Sequence, residues 1–331
     1  WEAEQDMIKC AGLISEETTK INNEECAIMA FNSLSWKITK WVFLNNRWTR
    51  ITIPSMGYAV QKIGRNQQAD YELTWDSSFM ENQLIRIEFE DDGSILSVFD
   101  KENDYEVLVP GSRGNKFTVY NDTGDVWDFP EDYRSGDIEQ FYLSESTIEK
   151  NGPELINHQL YRYSKSIIRQ DIVLTDGERR IDFCTKISWS NPGRMIRTSF
   201  PVDIPSGIAK CEVQFGAIER PVHSNTSWDA AKDEISAHTW VDISNNGYGA
   251  AILNDSKYGH RVKDRILDLC LLRSVPYPGP VEGFTDLGEQ NFTYSLFPHQ
   301  GNYSEGGVVQ AAHELNSPPS VYQIKEAAEN C

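Results

Sequence analysis

The stretch Ile85-Arg-Ile-Glu-Phe-Glu-Asp-Asp-Gly-Ser-Ile-Leu-Ser-Val-Phe-Asp100 decides the fold class. Ile85, Ile87 and Phe89 alternate with Arg86, Glu88 and Glu90, so an extended chain here has one apolar and one charged face. Asp91-Asp92-Gly93-Ser94 supplies a turn, because Asp and Gly tolerate positive φ. Ile95 to Phe99 then runs back. A helix of period 3.6 would scatter the same apolar residues around its circumference. The stretch reads as a β-hairpin.

The period of two extends in both directions. Upstream, Trp41 and Phe43, then Thr49, Ile51 and Ile53, alternate with polar or outward positions. Pro54-Ser-Met-Gly57 reads as a turn and Tyr58-Ala-Val60 as a short strand, and the polar run from Gly64 to Asp76 as a connection. Downstream, strands are expected at Lys116–Tyr120, Ser166–Leu174, Ile181–Trp189, Cys211–Phe215, Gly249–Leu253, Ile266–Leu272 and Asn291–Phe297. This rhythm runs almost to residue 312, with no long helical pattern inside it. Twenty-two Gly and 14 Pro supply the turns of an all-β array, which means sandwiches and not a βαβ enzyme fold. The exception lies at the start. Met7, Ala11 and Ile14 share one face of a short N-terminal helix over residues 2–22, broken at Asn22-Asn23.

Composition narrows the partners. Fifty acidic against 31 basic residues give a net charge of -19, a surface that repels phosphate backbones and anionic lipid. No nucleic acid and no membrane partner is expected, and no apolar run approaches the ~20 residues needed to span a bilayer. The cysteines (Cys10, Cys26, Cys184, Cys211, Cys270, Cys331) form no C-x-x-C pair, which argues against a structural zinc site and a disulfide framework. Free thiols point to a reducing, cytoplasmic location. Trp1 and Cys331 read as cuts within a longer polypeptide.

The usual self-contained catalytic motifs are missing: H-E-x-x-H, G-x-S-x-G, the P-loop and G-x-G-x-x-G do not occur. The densest functional segment is Ile218–Asp229, IERPVHSNTSWD. It carries Arg220, His223, Asn225, Trp228 and Asp229, with Glu219 beside them. An indole that stacks on sugar C–H groups, flanked by an amide, a guanidinium and carboxylates that chelate hydroxyls, suits a saccharide pocket. Equally, Arg220 and Asp229 could form a buried ion pair that pins the loop beneath Trp228. A second cluster is Asp125-Val-Trp127-Asp128, an aromatic between carboxylates. Two carboxylates are also the minimal apparatus of a glycosidase.

Taken in order, several segments resemble the glycoside hydrolase family 38 α-mannosidases. Phe31-Asn-Ser-Leu-Ser-Trp36 is similar to the F-N-P-L-S-W that opens the family's β region, and Ile87–Lys101 to its hairpin ending in Y-D-K. Gly114-Asn115 through Trp127-Asp128 resembles its G-N … L-Y-x-D … W-D stretch. Glu212–Trp240 is similar to Q-F-G-x-x-x-R-P-T-H-x-N-T-S-W-D-x-A-x-F-E-x-x-A-H-R-W. Gly247–Tyr258, Leu271–Ser274 and Phe292–His299 complete the series. Ser33, Val222, Asp233 and Thr239 depart from the pattern, and the second Trp of W-D-x-W-D is absent after Asp128.

The resemblance implies a small β-sandwich over residues 25–79 and a large galactose-mutarotase-like super-sandwich over residues 80–317. Residues 1–24 would end a helical middle domain, and residues 318–331 would return toward the small sandwich. It also implies a retaining α-mannosidase that acts on mannose-containing glycans or mannosides. Its zinc and its nucleophile would belong to an N-terminal catalytic domain, since this chain has no H-x-D pair. The chain itself, inactive alone, would then close one wall of the cleft, support that domain and mediate homo-oligomer formation. Trp127, Asp128, Arg220, His223, Asn225, Trp228 and Asp229 would line the wall, and no catalytic or metal-ligating residue is expected. Two other classes compete, a stand-alone carbohydrate-binding sandwich and a sugar epimerase.

Overall fold

The computed structural model describes residues 26–44, 46–63, 71–127, 132–245, 247–275 and 283–324. The expected helix over residues 2–22 lies outside them. Strands dominate, and two short helices, Ser227–Ala230 and Val308–Asn316, occur among the described residues. The chain divides into two compact units, one running to Tyr71 and resuming at Ser317, the other Glu72–Asn316.

The smaller unit sets a three-stranded sheet against a two-stranded one. In the first, Cys26–Asn32 lies between Gly57–Ile63 and Ser320–Ile324, both antiparallel to it. In the second, Ile38–Leu44 pairs with Arg47–Ile53. Their facing sides bury Ile28, Ala30, Leu34, Ile38, Val42, Ile51 and Ile53 as one core. Thr49, Ile51 and Ile53 point inward as the alternation predicts. On the partner strand the facing is the reverse of the expected one. Ile38 and Val42 are buried, while Phe43 is 48% exposed and lies tilted against Trp48, ring centres 5.0 Å apart.

In the larger unit the hairpin falls where the pattern places it. Ile85–Phe89 pairs with Ile95–Asp100, with a bulge at Glu88/Phe89, inside a five-stranded sheet. Ile85, Ile87, Phe89, Ile95 and Val98 are buried. A nine-stranded and a six-stranded sheet form the main sandwich. Phe183 of the nine-stranded sheet meets Phe200 of the six-stranded one at 5.4 Å. A polar thread crosses the same interior: Asn115 donates to Gln170 at 2.7 Å, and Thr198 and Tyr294 donate to Asn115. Each group is buried, so each needs its partner.

Two expectations near the edges fail. The strand expected at Cys211–Phe215 is Ile208–Val213, and Phe215 sits in the tight turn before Gly216–Pro221 at φ 63°. The strand rhythm also stops short of residue 312. Val308–Asn316 is a helix that packs Val308 and Ala312 with Trp240, Ala251 and Leu253 on the outer face of the nine-stranded sheet.

Candidate carbohydrate-facing site

Cross-strand partners in an antiparallel sheet point to the same side. In the six-stranded sheet Glu234 lies opposite Arg261, Arg261 opposite Asp268, and Asp268 opposite Ser199. Arg197, two residues from Ser199 and opposite Cys270, shares that side. Thr198 and Phe200 point the other way, into the sandwich. The outer side of this sheet therefore carries a row of charges, and the chain folds two segments over it.

The first segment follows the strand Thr118–Asn121. Asp122 is clasped by Arg273 through two bonds, Nε to Oδ2 at 2.7 Å and Nη2 to Oδ1 at 3.0 Å. The backbone N–H of Trp127 donates to Asp125 at 2.7 Å, an Asx turn that leaves the indole 81% exposed. Asp128, the other expected site residue of this segment, lies outside the described residues. The chain resumes at Asp132, and the 3-10 turn Tyr133–Ser135 lies over the charged row.

The second segment runs from Val222 to the strand Glu234–Ser236. Thr226-Ser-Trp-Asp229 has the spacing of a capping box, and forms one. The Asp229 N–H donates to Thr226 Oγ1 at 3.2 Å, while the Thr226 N–H and hydroxyl donate to Asp229 at 3.2 and 2.8 Å. The Thr226 hydroxyl, with His223 at 3.6 Å, holds the Asp229 carboxyl below the usual carboxylate range. Trp228 is 78% exposed, and Asn225 and His223 are exposed beside it.

An Arg220–Asp229 ion pair is therefore not what pins this loop, because Asp229 serves Thr226 and His223. The pin is Lys263, buried in the next strand, whose Nζ donates to the carbonyls of His223 and Asp229 at 3.0 and 3.2 Å. Arg220 stands half-buried at the end of the edge strand Gly216–Pro221, its Nε without a hydrogen-bond partner among the described residues. The structure thus gathers His223, Asn225, Trp228 and Asp229 on one loop, with Arg220 at its entrance and Trp127 on a separate segment.

The turn Tyr133–Ser135 and the end of the second segment meet in one largely buried network that sequence reasoning missed. Arg197, 1% exposed, pairs with Asp268 through Nε and with Glu234 through Nη1 at 3.0 Å. Asp268 uses its second oxygen for Arg134 at 2.9 Å, and Glu234 its second oxygen for the Tyr133 hydroxyl at 2.6 Å. Arg134 also lies 4.9 Å from the Tyr133 ring. Burial works against the Arg197 charge, but Asp268 and Glu234 more than offset it and raise its pKa.

Close by, His260 is fully buried, and burial together with Arg197 pushes its imidazole down to about 3. Native His260 is neutral throughout the range where an unfolded imidazole titrates. The unfolded state thus binds more protons between about pH 3 and 6.5, and stability is lost as pH falls through that window. Lowering pH from 7 to 5 should cost about 2 kcal/mol through this group. Urea melts at pH 7 and 5 check this: in His260→Gln that share of the pH dependence should vanish.

No three His, Cys, Asp or Glu side chains converge as metal ligands do among the described residues. Cys184, Cys211 and Cys270 are free thiols. No helix among the described residues is long and apolar enough to cross a membrane.

Comparison with known proteins places this arrangement. Residues 80–281 match the model of the glycosyl hydrolases family 38 C-terminal domain. The chain is 31% identical over 321 residues to alpha-mannosidase 2C1 of Homo sapiens, covering 88% of this chain and 30% of that protein. It is 34% identical over 270 residues to alpha-mannosidase G of Dictyostelium discoideum, covering 79% and 24% respectively. The crystal structure of an alpha-mannosidase from Enterococcus faecalis V583 shares the fold, with a TM-score of 0.77 at 14% identity over 97% of this chain and 48% of that one. The chain thus spans less than a third of the mannosidases it matches by sequence. Its sandwich belongs to the glycosyl hydrolases of family 38, as their C-terminal domain.

Proposed function

We propose that this chain is the cleft-closing C-terminal region of a retaining, zinc-dependent α-mannosidase whose nucleophile and metal ligands reside on a separate catalytic domain. The observation that carries this reading is the pairing of exposure with rigidity. Trp127 and Trp228 are the two most exposed tryptophans among the described residues, yet Trp127 follows the Asp122–Arg273 clasp and the Asp125 turn, and Trp228 stands on a loop pinned by Lys263. An indole held in place without its ligand loses little entropy on binding, which is how a pre-organised sugar wall gains affinity.

In such an enzyme zinc supplies the ordering of the sugar's hydroxyls. No donor set for it occurs among the described residues, and on this reading its ligands belong to the catalytic domain. The tasks left to this chain are to stack on the sugar ring through Trp127 and Trp228 and to accept hydroxyl hydrogen bonds at Asp229 and Asn225. Arg220 would orient the ligand from the strand edge. Cytoplasmic residence accords with the three free thiols.

Hydrolysis of a chromogenic α-mannoside tests the assignment. The 331-residue chain alone should give no turnover with or without zinc, whereas the polypeptide that includes the catalytic domain should turn over. In that longer polypeptide Trp127→Ala and Trp228→Ala together should raise KM about tenfold, the factor that about 1.4 kcal/mol of lost stacking carries. Zinc-dependent turnover by the 331 residues alone would overturn the assignment. So would a mannoside that raises the melting temperature of this chain by itself, which indicates a stand-alone binding module.

A further inference from the structure

Glu234 and Asp268 each divide their two oxygens between Arg197 and the turn Tyr133–Ser135. Glu234 also begins the strand into which the Trp228 segment runs. One guanidinium therefore stands between two loops that are about 100 residues apart in sequence. We infer that Tyr133, Glu234 and Arg197 are positioning residues that couple the two loops, so that ordering one orders the other.

Three features carry this. The links are direct: the Tyr133 hydroxyl donates to Glu234 at 2.6 Å, with no intervening side chain. The carboxylates are fully used, since each oxygen of Glu234 and Asp268 has its own donor. The centre of the network is also shielded from solvent, because Arg197 and Asp268 are almost wholly buried. Charge-assisted bonds in such a site have no water to replace them when one breaks. Loosening the turn therefore removes a partner from Glu234 and releases the chain that leads to Trp228. Thermodynamic coupling is reciprocal, so loosening Glu234 must release the turn to the same degree.

This inference deepens the sugar-wall reading and rests on it for its meaning, but its first test does not. Hydrogen exchange measured by mass spectrometry on the 331-residue chain would follow the two segments separately. Tyr133→Phe keeps the ring over Arg134 and removes only the hydroxyl. Amides of residues 226–234 should then exchange about tenfold faster, the factor expected from one lost hydrogen bond to a charged group. Residues 85–100 should be unchanged. Glu234→Gln should speed exchange at residues 132–137 by a similar factor, and the double variant should add little to either single one. Faster exchange confined to the mutated segment, or strictly additive effects, would overturn the coupling.

A second arm uses the polypeptide with its catalytic domain. There Tyr133→Phe should raise KM for an α-mannoside about fivefold while kcat stays within twofold. A fall in kcat with KM unchanged would refute a positioning role in the wall. Absence of mannosidase activity in the unmutated polypeptide would overturn the functional reading while leaving the exchange result standing.

Discussion

Arg197→Ala is expected to lower the stability of the large unit by about 3–5 kcal/mol, the cost of removing one partner from a buried charge pair. The substitution leaves Asp268 and Glu234 facing each other where Arg197 stood, Asp268 buried and Glu234 only partly open to water. Arg134 compensates only at Asp268, and the Tyr133 hydroxyl only at Glu234. For a unit of this size each kcal/mol moves the midpoint by about 2–4 °C, so a drop of roughly 6–20 °C is predicted in a thermal melt followed by circular dichroism. Arg197→Lys should recover little of it. An ammonium has no planar fork with which to serve two carboxylates from one position. A loss under 2 °C for Arg197→Ala would mean that the network contributes nothing net.

Gly249→Ala is the second large effect, expected to cost about 2.5–6 kcal/mol in a urea melt. Gly249 lies opposite His299 in the nine-stranded sheet, and the imidazole occupies the space its side chain would take. A Cβ there would stand 2.6 Å from His299 Nε2 and 2.6 Å from Ser244 Cβ. Nε2 is the atom bonded to the buried Asp242 at 2.8 Å. Any shift of the ring moves Nε2 away from Asp242 and toward Gly306, which already lies close to it. Overpacking of about 1–3 kcal/mol thus adds to about 1.5–3 kcal/mol for an Asp242 carboxylate left without its histidine. Gly216→Ala is the control. Nothing lies within 4 Å of its Cβ position, and a change within about 0.5 kcal/mol is expected in the same urea melt.

What could be read from the sequence was whatever is local. The hairpin at Ile85–Asp100 and the cap at Thr226–Asp229 each complete their logic within a few residues, so pattern and turn chemistry reveal them. Phe43 misled because aromatics are usually core, whereas its strand buries Ile38 and Val42 instead. Phe215 misled because the turn there has its glycine after the tight position and not in it. The helix Val308–Asn316 has only nine residues, too few for a helical period to stand out against the strands before it.

The ion network was the least legible part. Arg197, Glu234 and Asp268 come from three separate strands, and a charged residue in a strand ordinarily marks the solvent side. The Tyr133 turn and the Trp228 segment, folded over that side, make it an interior. Of the expected site residues, the loop from His223 to Asp229 came together because those residues are neighbours in sequence. Trp127 and the Trp228 loop are related only through tertiary anchors.

The smaller unit has a consequence for how the chain is made. Its central strand Cys26–Asn32 pairs on one side with Ser320–Ile324, so that Phe31 meets Ser320 about 290 residues further on. During synthesis at about 5–20 residues per second, that edge stays unpaired for roughly 15–60 s. Meanwhile the whole large unit emerges and can fold. Closing so long a loop adds little entropy cost once the large unit has shortened the distance its ends must bridge. The three-stranded sheet is therefore completed only after the large unit has been made, and its completion reports that everything between its two segments has already been translated.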